Sequence, residues 1–248
     1  MIILKSPEEI EKIRRASKVV GEIIAELEPM IKPGVTTKEI DKKAEELMRK
    51  KESIPAFKGY RGYPAVLCTS INEEVVHGIP SHRELKEGDV IGIDCGVIID
   101  GFYGDSARTF PVGKIDAESQ RLLDVTRESL YRGIRQMVVG NRLHDISWAV
   151  QSYAEENGYS VVRDFVGHGI GRSLHEEPQV PNFGTPHTGT RLSVGMVFAI
   201  EPMVNQGAHE VRVLEDGWTT VTKDGKYSAH FEHTIALTDK GFEILSEL

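Results

Sequence analysis

Cysteine is scarce in this sequence. Only Cys68 and Cys95 occur among 248 residues, which is too few for the disulfide framework of a small secreted protein. Cys95 also falls on the apolar side of a predicted strand, where a buried thiol is unremarkable. We therefore expect a reducing, cytoplasmic location.

Long apolar runs and an excess of basic charge are also missing. No apolar run approaches the length that spans a bilayer, and the first residues pass straight into a helix pattern without a signal peptide, so no membrane role is expected. Asp and Glu outnumber Lys and Arg by 38 to 30, which gives a net charge of −8. A direct nucleic-acid function, which needs a basic excess, is therefore not expected.

The remaining composition, 40 % hydrophobic and 27 % charged, is ordinary for a globular chain with a sizeable core. Ser6-Pro7, Thr37 and Asp116 are helix-start residues, and each precedes apolar residues at helical spacing. Gly140 is predicted to end the third helix. Strand-like segments follow each pair of helices, so the pattern predicts an α+β fold.

The stretch from Ile91 to Phe110 is predicted to form a hairpin. Asp100-Gly101 lies between two strand-like runs and suits a type I′ turn, in which both central residues need positive φ. That turn places Asp94 opposite Ala107, with Asp105 one diagonal step away on the same face. Two carboxylates so placed raise each other's pKa, which predicts a nearby cation. The alternative is that one aspartate is an edge residue facing water.

The two halves of the chain resemble each other. Residues 33–40 (PGVTTKEI) match 139–146 (VGNRLHDI), and 85–94 (LKEGDVIGID) match 192–201 (LSVGMVFAIE), at offsets of 106 and 107 residues. This indicates a pseudo-twofold duplicated unit with helices on one side and a joined antiparallel sheet on the other. No linker divides the halves, so one domain is expected over residues 1–248, with repeats at about 5–110 and about 115–238.

The repeat places Glu201 where Asp94 stands in the first half. Glu232 falls on the polar face of a strand pattern around residues 230–237, and His168 lies between glycines that allow close backbone approach. Four carboxylates and one imidazole on one surface would repel strongly unless divalent cations neutralised them. An oxygen-rich set with a single His and no thiolate suits a pair of Mn, Fe or Co ions, with Zn as a further option.

With these five residues in this order, the sequence resembles the methionine aminopeptidases along essentially its whole length. The phrases that carry the resemblance are GYPAVLCTSINEEVVHGIP, IDCGVIIDGFYGDSART, FVGHGIGRSLHEEP, FAIEPMV and FEHTIALT. The short interval between His168 and Glu201 resembles type I enzymes, which lack the large helical insert of type II. The sequence is similar to their minimal bacterial form, which implies a curved pita-bread fold.

The resemblance also implies roles for individual residues. Two divalent ions would be held by Asp94, Asp105, His168, Glu201 and Glu232. Glu201 would also act as the acid/base that moves a proton from the attacking water to the leaving amine. His77 would contact the substrate near the scissile amide, and His175 would hold its carbonyl as charge develops.

The resemblance further implies a pocket around the methionine side chain. Its lining would consist of Phe57, Tyr60, Tyr63, Cys68, Leu174 and Trp218. Phe57 and Leu174 depart from the family's usual pattern, in which Cys and Phe often stand at these positions, so the tolerance for residues near methionine in size is open. The tyrosines have an alternative interpretation as loop residues that pack on the core.

The implied activity is removal of the initiator methionine from nascent polypeptides whose second residue is small. A free α-amino group anchored at the metal centre would restrict attack to the first peptide bond. Nascent N-termini are the expected partners, ribosome contact is an open option, and a monomer is expected. Two alternatives are a proline-related aminopeptidase on the same fold and a non-catalytic pita-bread binding module. The module would be expected to lack some of the ligands.

Overall fold

The computed structural model describes residues 1–247. Within them the α-helices are α1 (Pro7–Leu27), α2 (Thr37–Lys50), α3 (Ala117–Ile134) and α4 (Leu143–Glu156), with short 3₁₀ turns at Glu28–Met30 and Tyr60–Gly62. None of these helices combines the length and the apolar character needed to cross a bilayer.

The predicted caps begin the helices. Ser6 Oγ accepts a hydrogen bond from Glu9 N, and the Glu9 carboxylate accepts one from Ser6 N, which forms a reciprocal capping box. Thr36 caps α2 in the same way, and the helix begins at Thr37, as predicted. The third helix ends at Ile134 and not at Gly140, because tight turns replace helical bonding beyond it.

Every strand pairing among residues 1–247 is antiparallel. The strands, in chain order, are β1 (Ile54–Pro55), β2 (Leu67–Ile71), β3 (Glu74–Val76), β4 (Val90–Ile99), β5 (Phe102–Pro111), β6 (Ser160–Val161), β7 (Gly167–Gly169), β8 (Glu176–Val180), β9 (Val197–Ile200), β10 (Met203–Asn205), β11 (Val211–Val213), β12 (Thr220–Thr222), β13 (Ser228–His230), β14 (His233–Thr238) and β15 (Gly241–Ile244).

Two larger sheets meet at the middle of the molecule. In one, β4 pairs with β1, β2 and β5; the other has the order β15-β14-β9-β7-β8. Glu232 N donates to Ala107 O over 2.9 Å and joins the sheets just before β14. The smaller sheets have the orders β13-β10-β6 and β11-β12-β3.

The two halves repeat the same local structure. Gly34 N donates to Leu85 O over 2.8 Å, and Gly140 N donates to Leu192 O over 3.4 Å in the second half. These bonds tie the start of α2 to the turn before β4 and the start of α4 to the turn before β9. The matched sequence segments therefore occupy equivalent places.

The three larger of four apolar clusters among residues 1–247 build the core around the joined sheets. One packs α1 and α2 against β4, with Val20, Ile40 and Ile93 as members. A second packs α3 and α4 against strands of the second half, among them β9, β10 and β14. A third lies between them and includes Phe57 and Leu174, so the predicted methionine pocket is built from side chains that also belong to the core.

Candidate active site

The central hairpin has the register predicted from its turn. Asp94 is paired with Ala107 and Gly96 with Asp105, and Asp100 and Gly101 have φ of 50° and 75°. The residues on the opposite face of β4 are buried, as predicted: Ile91, Ile93, Cys95 and Val97. Both aspartates therefore face the same side, and neither is an edge residue in water.

The second half brings its three predicted metal-binding residues to this face. His168 lies in β7, Glu201 directly follows β9, and Glu232 lies between β13 and β14. His168 Nε2 is 3.9 Å from Asp105 Oδ2 and 3.5 Å from Glu201 Oε1. Ligand atoms of Asp105, His168 and Glu232 all lie within 4.8 Å of one another. The predicted strand over 230–237 is interrupted at Glu232, because its N–H bonds to β5.

Burial disfavours the charged form of each carboxylate in this cluster. Loss of hydration raises the pKa of Asp94 to about 7, although its hydrogen bond with Asp105 acts in the opposite direction. The pKa values of Asp105, Glu201 and Glu232 are raised well above their ordinary range, first by burial and then by the neighbouring carboxylates. A cation among them would remove this repulsion.

The donor atoms fit a divalent cation. Asp94 Oδ1, Asp105 Oδ1 and Glu232 Oε1 are buried and have no hydrogen-bond partner within residues 1–247. Buried oxygens without partners are costly, and a metal ion is a partner that four carboxylates would share. His168 Nδ1 is 2.9 Å from Gly169 O and donates to it, which leaves Nε2 free to ligate, as is common in metal sites.

The carboxylate cluster lies in a cavity of about 350 Å³. Every residue predicted to bind metal or substrate lines it: Phe57, Tyr60, Tyr63, Cys68, His77, Asp94, Asp105, His168, Leu174, His175, Glu201, Trp218 and Glu232. The structure thus brings the complete predicted set to one concave site. The individual roles assigned to these residues stay predictions.

Two further histidines face the cavity in their neutral form. Burial lowers the pKa of His77 to about 4, with a smaller contribution from His175. Burial and the nearby Arg61 guanidinium lower the pKa of His175. Tyr60 Oη lies 2.8 Å from His175 Nδ1, and the His175 ring centroid is 4.2 Å from that of His168.

The aromatic side chains of the pocket are held by specific contacts. The single Tyr63 hydroxyl proton is shared between Leu67 O at 3.0 Å and Gly78 O at 2.9 Å, so Tyr63 also has the core-packing role that was its alternative. Its ring meets Trp218 edge-on, with centroids 5.1 Å apart. A Cβ on Gly96 would lie 2.6 Å from the Phe57 ring, so glycine opposite Asp105 makes room for Phe57.

Some cavity residues were missed by the sequence analysis. They are Arg61, Asp164, Phe165, Val166 and Gln179. Position along the chain was a usable signal for Phe165 and Val166, which precede His168 in the same motif. No sequence motif indicated Gln179, because it reaches the site only through the pairing of β8 with β7.

His230 is a further buried group at the centre. Its Nε2 has no hydrogen-bond partner among the described residues and lies 3.7 Å from Glu201 Oε2. Burial, with a contribution from His77, lowers its pKa to about 3. His230 lies two residues before Glu232, so strand alternation predicts that both face the same side. The sequence analysis assigned His230 no role.

The fold and the site define a metallopeptidase, and the model of metallopeptidase family M24 matches residues 11–239. A methionine aminopeptidase from Clostridium acetobutylicum is 54 % identical over 247 residues, covering 99 % of each chain. Methionine aminopeptidase 1 from Bacillus subtilis is 52 % identical over 248 residues, covering 100 % of each. The chain belongs to the methionine aminopeptidases of family M24, in their type I form.

Solved structures agree with this assignment. The crystal structure of methionine aminopeptidase from Thermotoga maritima has a TM-score of 0.98 at 48 % identity and covers 100 % of both chains. Prolidase from Pyrococcus furiosus has a TM-score of 0.79 at 23 % identity, with 66 % of its chain covered; at that identity the likeness shows the fold alone. The predictions of a pita-bread fold and of this family are confirmed.

Proposed function

We propose that this chain removes the N-terminal methionine from polypeptides whose second residue is small. The observation that carries the proposal is the convergence of four carboxylates and one imidazole at a cavity lined by aromatic and soft apolar side chains. An apolar pocket of this kind suits a flexible thioether. Relatives named methionine aminopeptidase, similar over the whole chain, support the same activity.

The residues that would hold two divalent ions are Asp94, Asp105, His168, Glu201 and Glu232. We propose Co, Mn, Fe or Zn, since the donors are carboxylate oxygens and one imidazole nitrogen. Bound there, the ions would activate a water molecule, polarise the scissile carbonyl and anchor the free α-amino group.

Glu201 is the residue we assign to proton transfer. It directly follows β9, its side chain is only 13 % exposed, and its pKa is raised by loss of hydration and by Asp105 and Asp94. A carboxylate held beside the attacking water can accept a proton from it and return that proton to the leaving group. In the proposed reaction it takes a proton from the attacking water and passes it to the nitrogen of the leaving amine.

His77 and His175 are the residues to which we assign hydrogen bonds with the bound peptide. Both are neutral at pH 7, so each can donate one N–H to a carbonyl oxygen without introducing a charge. When the Tyr60 hydroxyl donates to His175 Nδ1, the proton of His175 resides on Nε2, where it can stabilise charge that develops on the substrate carbonyl. His77 packs edge-on against Phe165, with centroids 5.3 Å apart, which fixes its ring.

Phe57, Tyr60, Tyr63, Cys68, Leu174 and Trp218 would surround the methionine side chain. Phe57 is a larger side chain than the Cys often found there, and Leu174 is smaller than the usual Phe. The first change adds more volume than the second removes, so the pocket is reshaped, but both changes keep the lining apolar. We therefore propose that methionine stays the preferred first residue.

The proposed setting is the cytoplasm, with nascent N-termini as substrates and the protein acting as a monomer. The single catalytic domain spans residues 1–248, because both halves supply residues to the site and hydrogen bonds join their sheets. Co-sedimentation with ribosomes tests whether the chain contacts them directly.

A peptide panel tests the function against its closest alternative. We expect Met-Ala-Ser to be cleaved after Met in the presence of Mn²⁺ or Co²⁺, and Met-Leu-Ser to be a poor substrate. Ala-Pro and Leu-Pro peptides test for a proline-related aminopeptidase. Turnover of the proline peptides alone contradicts the proposal, and absence of all turnover in metal-loaded protein favours a binding module.

A further inference from the structure

The loop between β7 and β8, residues 170–175, carries two residues that we place around the substrate, Leu174 and His175. It leaves β7 after Gly169, and the His168 and His175 rings are in contact, with centroids 4.2 Å apart and planes tilted by 51°. Leu174 is 3 % exposed and packs in the cluster that lines the methionine pocket. The conformation of this loop therefore decides where both side chains point.

Glu176 closes this loop from its far end. It begins β8 and is paired with Gly169 of β7. Its Oε1 accepts hydrogen bonds from Arg172 N over 2.8 Å and from Ser173 N over 3.2 Å. One carboxylate oxygen thus satisfies two backbone donors of the loop that carries His175.

The other oxygen of Glu176 is bound by a lysine from the beginning of the chain. Lys5 Nζ lies 2.6 Å from Glu176 Oε2, and the two side chains are only 4 % and 9 % exposed. Lys5 Nζ also donates to Ile3 O over 2.9 Å, and Lys5 N donates to Gly195 O over 2.7 Å. The backbone of Lys5 is therefore bound to the turn before β9, while its ammonium group is bound to the loop through Glu176.

Space for this contact is provided by glycine. A Cβ on Gly171 would collide with Lys5 Cε and would lie 2.8 Å from Glu176 Oε1. The lysine stem therefore lies directly against the loop backbone. A buried, well-bonded ion pair of this kind adds little net stability, but it fixes geometry, and loss of one partner leaves a buried charge without compensation.

We propose that Lys5 is a positioning residue for the peptidase reaction, because its buried ion pair with Glu176 holds the 170–175 loop so that His175 and Leu174 face the substrate. This inference rests on the proposed function, since it assigns the loop a role in that reaction. Lys5 itself does not line the cavity and acts through the loop.

A double-mutant cycle with His175 tests the inference. Lys5→Met is expected to lower kcat for Met-Ala-Ser by about 10- to 100-fold, the cost of a small misplacement of a catalytic group, and Lys5→Arg is expected to restore most of it. In a His175→Ala background, Lys5→Met should have little further effect on kcat. Full, independent losses in the two backgrounds would overturn the proposal.

Hydrogen exchange separates this inference from the proposed function. In Lys5→Met the amides of residues 170–176 are expected to exchange at least about tenfold faster, while α1 to α4 stay protected. Lys51→Met is the matched control, because Lys51 Nζ lies 2.7 Å from Glu22 Oε2 and joins α1 to the end of α2, outside the cavity. Unchanged exchange in the loop overturns the positioning role of Lys5, even if the substrate assignment stands. An inactive wild-type protein counts against the proposed function instead.

A second variant keeps the test decisive if Lys5→Met does not fold. The pair Lys5→Met with Glu176→Gln removes both charges, while the amide oxygen can still accept from Arg172 N and Ser173 N. The folded double variant is expected to show a lowered kcat and a loosened loop. A wild-type kcat in this variant contradicts the positioning role.

Discussion

The carboxylates of the site show how single residues set its chemistry. Asp105 and Glu232 are buried, Asp94 and Glu201 are partly buried beside them, and the loss of hydration raises the pKa values of all four. Such a cluster is a poor device for stability, because like charges repel most strongly where water is excluded. The same cluster is well suited to bind divalent ions and to transfer a proton.

The first prediction concerns Glu201. Glu201→Gln is expected to lower kcat for Met-Ala-Ser by about 10²- to 10⁴-fold, the usual contribution of a general acid/base, because the amide cannot carry the proton. Thermal unfolding should change little, since the replacement has the same shape. The control is Glu210→Gln, at a half-exposed side chain. Near-normal turnover with unchanged metal content in Glu201→Gln would refute the role.

The second prediction concerns the protonation of His77. Its pKa is lowered to about 4 in the folded protein, below the value of about 6.5 expected in the unfolded chain. The unfolded chain therefore binds the extra proton first as the pH falls. The stability that His77 contributes is complete above about pH 6.5 and is lost as the pH falls toward about 4.

Urea unfolding at several pH values measures this contribution. His77→Asn is expected to make the acid-side decline shallower, by at most about 1.4 kcal/mol per pH unit between pH 6.5 and 4. His82→Asn, at an exposed position, is the control. An NMR titration that finds the His77 ring protonating near pH 6.5 would contradict the prediction directly.

At the scale of elements, the β4–β5 hairpin is the part on which the site is built. It presents Asp94 and Asp105 on one face, and α1 packs on the other. Close packing against α1 requires Gly104, since a Cβ there would lie 2.6 Å from the Ala16 carbonyl carbon. The helix backbone cannot move aside without disturbing the core.

The third prediction follows from this contact. Gly104→Ala is expected to destabilise the protein by about 1–3 kcal/mol, the usual cost of overpacking a core. Gly92→Ala is a matched control in the same hairpin, because its Cβ would meet its nearest neighbour at 3.7 Å, an ordinary contact. Chemical unfolding of both variants gives the comparison, and equal stabilities would show that α1 does not constrain the hairpin.

At the scale of the whole molecule, the site exists only because two halves meet. Asp94 and Asp105 come from the first half, and His168, Glu201 and Glu232 come from the second. Thr234 Oγ1 donates to Asp105 O over 2.7 Å, and Ser106 Oγ donates to Glu232 O over 2.6 Å. These bonds fix the two sheets relative to each other directly behind the carboxylates.

The fourth prediction concerns metal binding by the assembled site. Chelator-treated protein is expected to be inactive, and added Mn²⁺ should restore turnover with up to two ions bound per chain. At 100 times its dissociation constant an ion stabilises the folded state by about 2.7 kcal/mol, so the unfolding temperature should rise with Mn²⁺ concentration.

A matched pair of aspartates tests where the ions bind. Asp105→Asn should weaken the response to Mn²⁺, because Asp105 contributes ligands from the middle of the cluster. Asp124→Asn alters an exposed aspartate on α3 and should leave the response intact. A full Mn²⁺ response in Asp105→Asn would place the ions elsewhere.

The sequence by itself determined the parts of this protein that depend on local or periodic information. Two helix starts follow from Ser6 and Asp116, whose side chains bond within three residues, and α2 begins at the predicted Thr37. The hairpin register follows from the positive φ that Asp100-Gly101 adopts. The resemblance along the chain then gave the predicted metal- and substrate-binding residues, all of which line the cavity, because the motifs occur in the family's order.

Only the tertiary structure decided what depends on contacts between distant segments. The break at Glu232 arises because its N–H bonds to Ala107, and no local pattern encodes that partner. Gln179 reaches the cavity through sheet pairing, and His230 comes within 3.7 Å of Glu201 through the meeting of separate strands. The Lys5–Glu176 ion pair joins residues at opposite ends of the chain. The spacing of residues in sequence fixes neighbours along a helix or strand, whereas burial and ion pairing depend on which elements pack together.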